Sequence, residues 1–281
     1  MTRAEEDRPA GAGAGAGPAE GGTSPRDGPA VPAASHRDLR TEVLLVLGVS
    51  VGASAAFALV DLVGKLTARI PLAQSTATLN GSYAPGRPWL DLALQLVSLC
   101  FGVVPALLAV HLLRRGGMPV AAIGLDRSRP GSDLARGLLL AAVVGIPGLL
   151  LYLAAHALGA SAVVVAEALP PVWWRIPVLV LSAVTNAVLE EVVVVAYLLT
   201  RLRQLGWQPG RALLVSALLR GGYHLYQGFG AFLGNAVMGL LFGRVFQRTG
   251  RVMPLVVAHT LLDTAAFVGY AMLHGHVSWL P

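Results

Sequence analysis

The sequence of 281 residues is 55% hydrophobic and only 13% charged, with a mean hydropathy of +0.65. This composition excludes an ordinary soluble protein and is typical of polytopic membrane proteins. The formal net charge of +6 comes mostly from arginines between apolar segments, so it indicates membrane topology and makes nucleic acid an unlikely class of partner.

Gly, Ala and Pro dominate residues 1 to about 36. Such a segment cannot bury enough apolar surface to offset the entropy lost on ordering. We therefore assign residues 1–40 to a disordered cytoplasmic tail. The tail lacks a compact apolar segment followed by a small-residue cleavage site, so it does not resemble a cleavable signal peptide.

Seven apolar segments follow the tail. A helix needs about 20 apolar residues to cross a bilayer. The predicted spans are Glu42 to Leu66, Leu92 to Leu113, Leu134 to Leu158, Trp173 to Thr200, two short spans within residues 211–247 separated near Gln227, and Met253 to Leu273. The sequence therefore predicts an all-α, polytopic membrane helix bundle of about seven transmembrane helices. Residues 41–171 form accessory helices, and residues 172–275 form a core that holds the ionisable residues.

Along the chain, loops that are rich in arginine and lysine alternate with loops that contain few of these residues. The positive-inside rule then places the N-terminus in the cytoplasm and the C-terminus outside. We expect an integral protein of the cell membrane in contact with the lipid bilayer.

Asp61 and Lys65, four residues apart, are predicted to form a local ion pair. Cys100, the only cysteine, is interpreted as a small buried apolar residue.

The segment from Asn186 to Arg203 places two adjacent glutamates, Glu190 and Glu191, inside an apolar run that is long enough to cross a bilayer. An acidic residue at the centre of a membrane helix costs about 2.5–3.5 kcal/mol even on the mildest scale. The pair therefore needs partners or a function. Because successive helical residues point about 100° apart, only one glutamate is expected to face a given centre, which implies two different roles.

Other ionisable residues lie at similar depth on later helices. At a rise of 1.5 Å per residue, Glu190 lies about 16 Å, His224 about 20 Å and His259 about 12 Å from the arginine-rich ends of their helices. Asp263 shares a helix face with His259, and Arg220 shares one with His224. Three helices therefore present a carboxylate and two imidazoles to a common layer of the bundle.

This set of side chains suggests hydrolysis, with a carboxylate as general base, an imidazole that orients water, and donors for the oxyanion. Zinc bound by one glutamate and two histidines is the alternative. No HExxH motif supports zinc, so the prediction is a site without metal or other cofactor, with zinc as the second choice. Asn235 is interpreted as a helix-packing residue.

The ordered motifs resemble those of the CPBP family, the group of CAAX prenyl proteases and bacteriocin-processing proteins also called Abi. The family pattern is EExxxR, then FxxxH, then HxxxN or HxxxD. Here Glu190-Glu191 is followed by Tyr197-Leu198-Leu199, then by His224, and then by His259-Thr-Leu-Leu-Asp263. The resemblance covers roughly residues 172–275.

The resemblance implies an intramembrane glutamate endopeptidase that acts on peptide or membrane-protein substrates. It implies that Glu190 activates water, that His224 helps to hold this water, and that Glu191 assists as a second, structural carboxylate. His259 and Asp263 occupy the positions of the family's oxyanion-stabilising pair.

The sequence departs from the family pattern at two positions. Val195 stands where the family has arginine, and Arg220 stands where the family has phenylalanine. Because Arg220 and Glu191 lie at similar estimated depths, we hypothesise that the cation has moved to the next helix and still neutralises Glu191 as a supporting ion pair.

Three other interpretations stay open at this point. The glutamates form an inert buried pair, or the protein is a non-catalytic membrane protein for binding or immunity, or it is a proton-coupled transporter that uses the buried carboxylates. A transporter is expected to show internal repeats, and none is visible between the two halves of the sequence.

Overall fold

The computed structural model describes residues 35–277 and shows a helical bundle. Most of the predicted tail lies outside the described residues. Ser35 caps the first helix, because its side chain accepts a hydrogen bond from Asp38 N at 3.2 Å while Asp38 Oδ2 accepts one from Ser35 N. This capping box starts the helix at His36, so residues 36–40, which the sequence analysis assigned to the tail, are helical.

Ten α-helices, one π-helical segment and two short strands make up the described chain. The elements are α1 (His36–Gly48), α2 (Val51–Thr67), β1 (Thr76–Thr78), α3 (Pro88–Gly102), α4 (Val104–Arg115), α5 (Pro130–Ala157), β2 (Val163–Val165), α6 (Arg175–Glu190), the π segment (Glu191–Tyr197), α7 (Leu198–Gln204), α8 (Pro209–Gly222), α9 (Phe229–Thr249) and α10 (Met253–Leu273). Short 3₁₀ turns cover Leu72–Gln74, Val120–Ile123 and Leu225–Gln227.

The polytopic all-α architecture is confirmed, but the count of seven spans is not. Within residues 35–277, five continuous helical stretches are long and apolar enough to cross a membrane: Pro88–Arg115, Pro130–Ala157, Arg175–Gln204, Phe229–Thr249 and Met253–Leu273. The pair α1 and α2, bent by 52°, would be a sixth. Helix α8 has only 14 residues, so it extends about 21 Å, less than the roughly 30 Å of a hydrocarbon core.

Helix α10 packs against α5 and α6, while α8 packs against α9 and α2. The two ends of this bundle differ in character. At one end, called the sheet end below, β1 pairs in parallel with β2, and Thr76 lies opposite Val163. At the other end, called the basic end below, Arg251 and Arg201 make ion pairs.

The small sheet was not predicted from the sequence. It joins the loop after α2 to the loop after α5, and Ala77 packs in a cluster that includes Leu62 and Leu72. The chain beside β2 also fixes the break between α8 and α9, because Ala162 N donates to Gln227 O at 2.9 Å. The sheet therefore holds the chain that directly follows His224.

Many large apolar side chains on the outer helices are exposed, for example Phe57 at 77% and Ile146 at 69%. Such a surface suits contact with lipid hydrocarbon.

The prediction that Cys100 is buried is wrong, because Cys100 is exposed on α3. In a membrane protein the outer face is as apolar as the core, so hydropathy alone cannot separate the two. The predicted Asp61–Lys65 ion pair is confirmed at 2.8 Å.

At the basic end, Arg251 binds one carboxylate from the loop before α5 and one from the first turn of α5. Its Nη2 lies 3.1 Å from Asp126 Oδ1 and 2.6 Å from Asp133 Oδ2. Hydrogen bonds from the Ser128 side chain and backbone, together with Arg251, lower the pKa of Asp126 from 3.8 to about 2. The ionised form of Asp126 therefore helps to hold this loop in its folded conformation.

Glycines allow α9 to approach α8 closely. A Cβ atom at Gly239 would lie 3.0 Å from Ala217 Cα and 3.2 Å from Arg220 Cδ. The close contact therefore places α9 directly against the side chain of Arg220, a residue of the predicted site.

We predict that replacing Asp126 with Asn removes a pH-dependent part of the stability. Because the folded-state pKa is lowered, the stabilisation from this group is present above pH 3.8 and is lost as the pH falls towards about 2. In micelles, the unfolding temperature of Asp126→Asn should be lower near neutral pH and should depend less on pH between 4 and 2. An unchanged pH profile would contradict this assignment.

We also predict that Gly239→Leu destabilises the bundle, because the larger side chain would force α8 and α9 apart. Overpacking of this kind typically costs about 1–3 kcal/mol or more. Gly148→Leu on α5 is the matched control, since a Cβ at Gly148 would meet no atom within 4 Å. Thermal unfolding in the same micelles compares the two variants, and equal unfolding temperatures would argue against close packing at Gly239.

Candidate active site

The site begins where the fourth predicted span changes its helical geometry. Glu190 is the last residue of α6, and Glu191 is the first residue of the π segment. A π-helix has i→i+5 hydrogen bonds and often marks functional positions. Residues 191–197 are all buried, and Ser216 Oγ on α8 donates to Val194 O at 2.7 Å. The neighbouring helix thus satisfies a carbonyl group of the altered segment.

Arg220 forms the centre of the polar cluster, and its side chain is 0% exposed. Its Nη1 lies 2.7 Å from Glu191 Oε1, so the predicted supporting ion pair is present. Its Nη2 lies 3.3 Å from Glu190 Oε2. The expectation that only one glutamate faces a given centre is therefore wrong, because the planar guanidinium fork reaches both carboxylates at once.

His259 on α10 connects this ion pair to a third carboxylate. Its Nδ1 lies 2.8 Å from Glu191 Oε1 and 3.1 Å from Arg220 Nη2, and its Nε2 lies 3.5 Å from Asp263 Oδ1. The predicted sharing of one helix face by His259 and Asp263 is thereby confirmed. Since both ring nitrogens face carboxylates, the imidazole is held in a fixed orientation between α10 and the π segment.

His224 lies just after α8 and uses Nδ1 to contact Arg220 O at 2.9 Å. A carbonyl oxygen only accepts hydrogen bonds, so Nδ1 carries the proton in this contact. In the neutral ring, Nε2 then has a free lone pair. The imidazole can therefore accept a hydrogen bond from a water molecule or from a substrate group.

Sequence reasoning missed two polar residues of the cluster. Tyr223 Oη donates to Glu190 Oε2 at 2.7 Å, and Asn186 Nδ2 donates to Asp263 Oδ2 at 3.4 Å. Asn186 precedes Glu190 by one helical turn, and that spacing was a usable signal. Tyr223 gave no such signal, because a tyrosine beside an apolar run is equally typical of a membrane interface.

Exposure divides the cluster into two parts. The side chains of Glu190 and Asp263 are 13% and 22% exposed, and Asn186 and His224 are also only partly buried. The side chains of Glu191, Arg220 and His259 are at most 7% exposed. A substrate or water molecule can therefore reach the first group, while the second group forms a closed polar base beneath it.

Asn235, which was interpreted as a packing residue, lies on α9 and donates to Ala231 O of the same helix at 3.0 Å. Within the described part of the chain, its side chain makes no hydrogen bond to another helix. Its side chain therefore caps a local carbonyl group and does not join the polar cluster.

Metal binding was the second choice for this set of residues. Within residues 35–277, no group of three His, Cys, Asp or Glu side chains has an arrangement that could hold a metal ion. Arg220 brings a permanent positive charge to within 3.3 Å of both glutamates. A cation bound by Glu190 and Glu191 would have to overcome the repulsion of this guanidinium group.

The family model described as type II CAAX prenyl endopeptidase, Rce1-like, matches residues 171–265. This segment is about a third of the chain and contains all the polar residues of the cluster. The match confirms the resemblance to the CAAX protease family, and it supports a membrane protease of CAAX type that acts on peptides or membrane proteins. No curated protein and no solved structure is a significant match to the chain.

We predict that Arg220→Met destabilises the protein strongly, because it removes the guanidinium partner of the buried Glu191 carboxylate and of the partly buried Glu190 carboxylate. Removing one partner of a buried ion pair costs about 3–5 kcal/mol. Adding Glu191→Gln should restore part of the lost stability, since the double variant no longer buries that unpaired charge. Unfolding temperatures of the two single variants and the double variant form a double-mutant cycle, and strictly additive effects would contradict the pairing.

Proposed function

We propose that the protein is an intramembrane endopeptidase in which Glu190 activates the water molecule that attacks a peptide bond. The observation that carries this proposal is the unequal environment of the two glutamates. Glu191 is fully buried and contacts both Arg220 and His259, whereas the side chain of Glu190 is 13% exposed and lies farther from Arg220, at 3.3 Å. The match to CAAX endopeptidases over residues 171–265 supports the same reaction class.

In this mechanism Glu190 takes a proton from water as the water oxygen attacks the carbonyl carbon. His224, whose Nε2 lone pair is free, accepts the second hydrogen of the same water and so orients it. The tetrahedral intermediate carries its negative charge on the former carbonyl oxygen. When the C–N bond breaks, the proton on Glu190 passes to the leaving amine.

The closed base of the cluster keeps the charge balanced during this cycle. When Glu190 accepts the proton it becomes neutral, while Arg220 stays paired with Glu191 at 2.7 Å. Neither Arg220 nor Glu191 is therefore left as an unpaired buried charge at the intermediate, a situation that would be costly in a low-dielectric bundle. Glu191 thus acts as the structural carboxylate, and Tyr223 holds Glu190 in place through its 2.7 Å hydrogen bond.

We further propose that the protein lies in the cell membrane with its basic end on the cytoplasmic side. The support is the distribution of arginines, which lie beside the helix ends at this end of the bundle: Arg114, Arg115, Arg127, Arg129, Arg136, Arg201, Arg203, Arg211, Arg244, Arg248 and Arg251. The positive-inside rule assigns such an end to the cytoplasm. The N-terminal end of α1, which also lies at this end, would then be cytoplasmic.

We predict that purified protein cleaves members of a library of membrane-derived peptides and that Glu190→Gln abolishes this cleavage. Removal of a general base typically lowers the rate about 10²–10⁴-fold. The measurement is mass spectrometry of the products, with initial rates for one cleaved peptide. Glu167→Gln is the matched control, because Glu167 is another buried glutamate but pairs with Arg175 at the sheet end.

The same reaction is run with a chelator. Cleavage that needs Glu190 and survives chelation supports the glutamate mechanism, while loss of cleavage with chelator would favour the zinc alternative. A folded wild-type protein that gives no products at all would contradict a protease and favour a non-catalytic binding role.

A further inference from the structure

Asp263, the last residue of the HxxxD motif, poses a chemical problem for the hydrolysis proposed above, on which this inference rests. A tetrahedral intermediate needs hydrogen-bond donors aimed at its oxyanion. An ionised carboxylate has no proton to donate. Asp263 contacts His259 Nε2 and Asn186 Nδ2, which are both nitrogens suited to donate to it. The geometry therefore favours Asp263 as an acceptor, which would repel an oxyanion placed against it.

Asn186 is the amide donor that lies nearest to Glu190 on the same helix. It is four residues before Glu190 on α6, so the two side chains lie on the same helix face, about 6 Å apart along the axis. Its side chain is partly exposed, as is that of Glu190. Asn186 therefore borders the part of the cluster that a substrate can reach.

The contact with Asp263 fixes the orientation of the Asn186 amide. Because a carboxylate oxygen accepts hydrogen bonds, the NH₂ group and not the carbonyl oxygen must face Asp263 Oδ2, at 3.4 Å. The NH₂ group has two hydrogens, and this contact uses only one. The second N–H is available to an acceptor on the exposed side of the cluster.

We propose that Asn186 is a catalytic residue that donates this second N–H to the oxyanion of the tetrahedral intermediate. Asp263 is then a positioning residue that holds the amide of Asn186 and the ring of His259 through its two oxygens. As water attacks the carbonyl carbon, the C=O π electrons move to the oxygen, which accepts the hydrogen bond from Asn186. No proton is transferred to or from Asn186, and the bond is lost when the carbonyl re-forms and the amine leaves.

The test compares Asn186→Ala with Asn235→Ala on a peptide that the wild-type protein cleaves. We expect Asn186→Ala to lower kcat by about 10²–10³-fold, the usual effect of losing one oxyanion donor, with little change in KM and in the unfolding temperature. Asn235→Ala is the matched control, because Asn235 bonds only to Ala231 O within α9. Its kcat should equal that of the wild-type protein.

Asp263→Asn provides a rescue experiment, because it introduces an amide donor on α10 beside the lost one. The double variant Asn186→Ala/Asp263→Asn should recover at least 10-fold of the lost kcat, an effect that a purely structural Asn186 would not produce. Equal kcat for Asn186→Ala and the wild-type protein would overturn this inference while Glu190 remains essential. If hydrolysis does not depend on Glu190, or does not occur, the proposed function and this inference fail together.

Discussion

The ion pair between Arg220 and the two glutamates is the interaction on which the polar centre of the bundle depends. Adjacent carboxylates inside an apolar helix would repel each other and would each lose hydration. One planar guanidinium group solves both problems, because its two terminal nitrogens reach Glu190 and Glu191 from the neighbouring helix. The aromatic ring of Phe242 covers the same cation, with its centroid 5.5 Å from Arg220 Cζ.

The surrounding fold can be understood as the support for this contact. Gly239 lets α9 lie against the aliphatic part of Arg220, and Ser216 satisfies a carbonyl group of the π segment. At the sheet end, the loop beside β2 bonds to Gln227 and so fixes the chain after His224. These contacts help to hold the side chains of Glu190, Arg220, His224 and His259 together in one polar cluster.

The position of the cation differs from the one in the family pattern that the sequence resembles. Val195 is buried in the apolar core, where it packs with the rest of the π segment. The positive charge that the family supplies from that position comes here from α8. A charge needs only to be close to its partner, so the same neutralisation can be provided by a different helix, whereas a shape-dependent apolar contact could not be moved so easily.

The sequence by itself determined the membrane class, the all-α architecture, the polar residues of the three motifs and the Arg220–Glu191 pair. These features follow from hydropathy, helical spacing and the high cost of a buried charge, which are local or nearly local properties. Only the tertiary structure showed that Arg220 bridges both glutamates, that α8 is short, that a sheet closes one end, and that Asn186 and Tyr223 join the cluster. Those features depend on which side chains from distant parts of the chain meet, and on a π-helical geometry that one apolar valine run does not reveal.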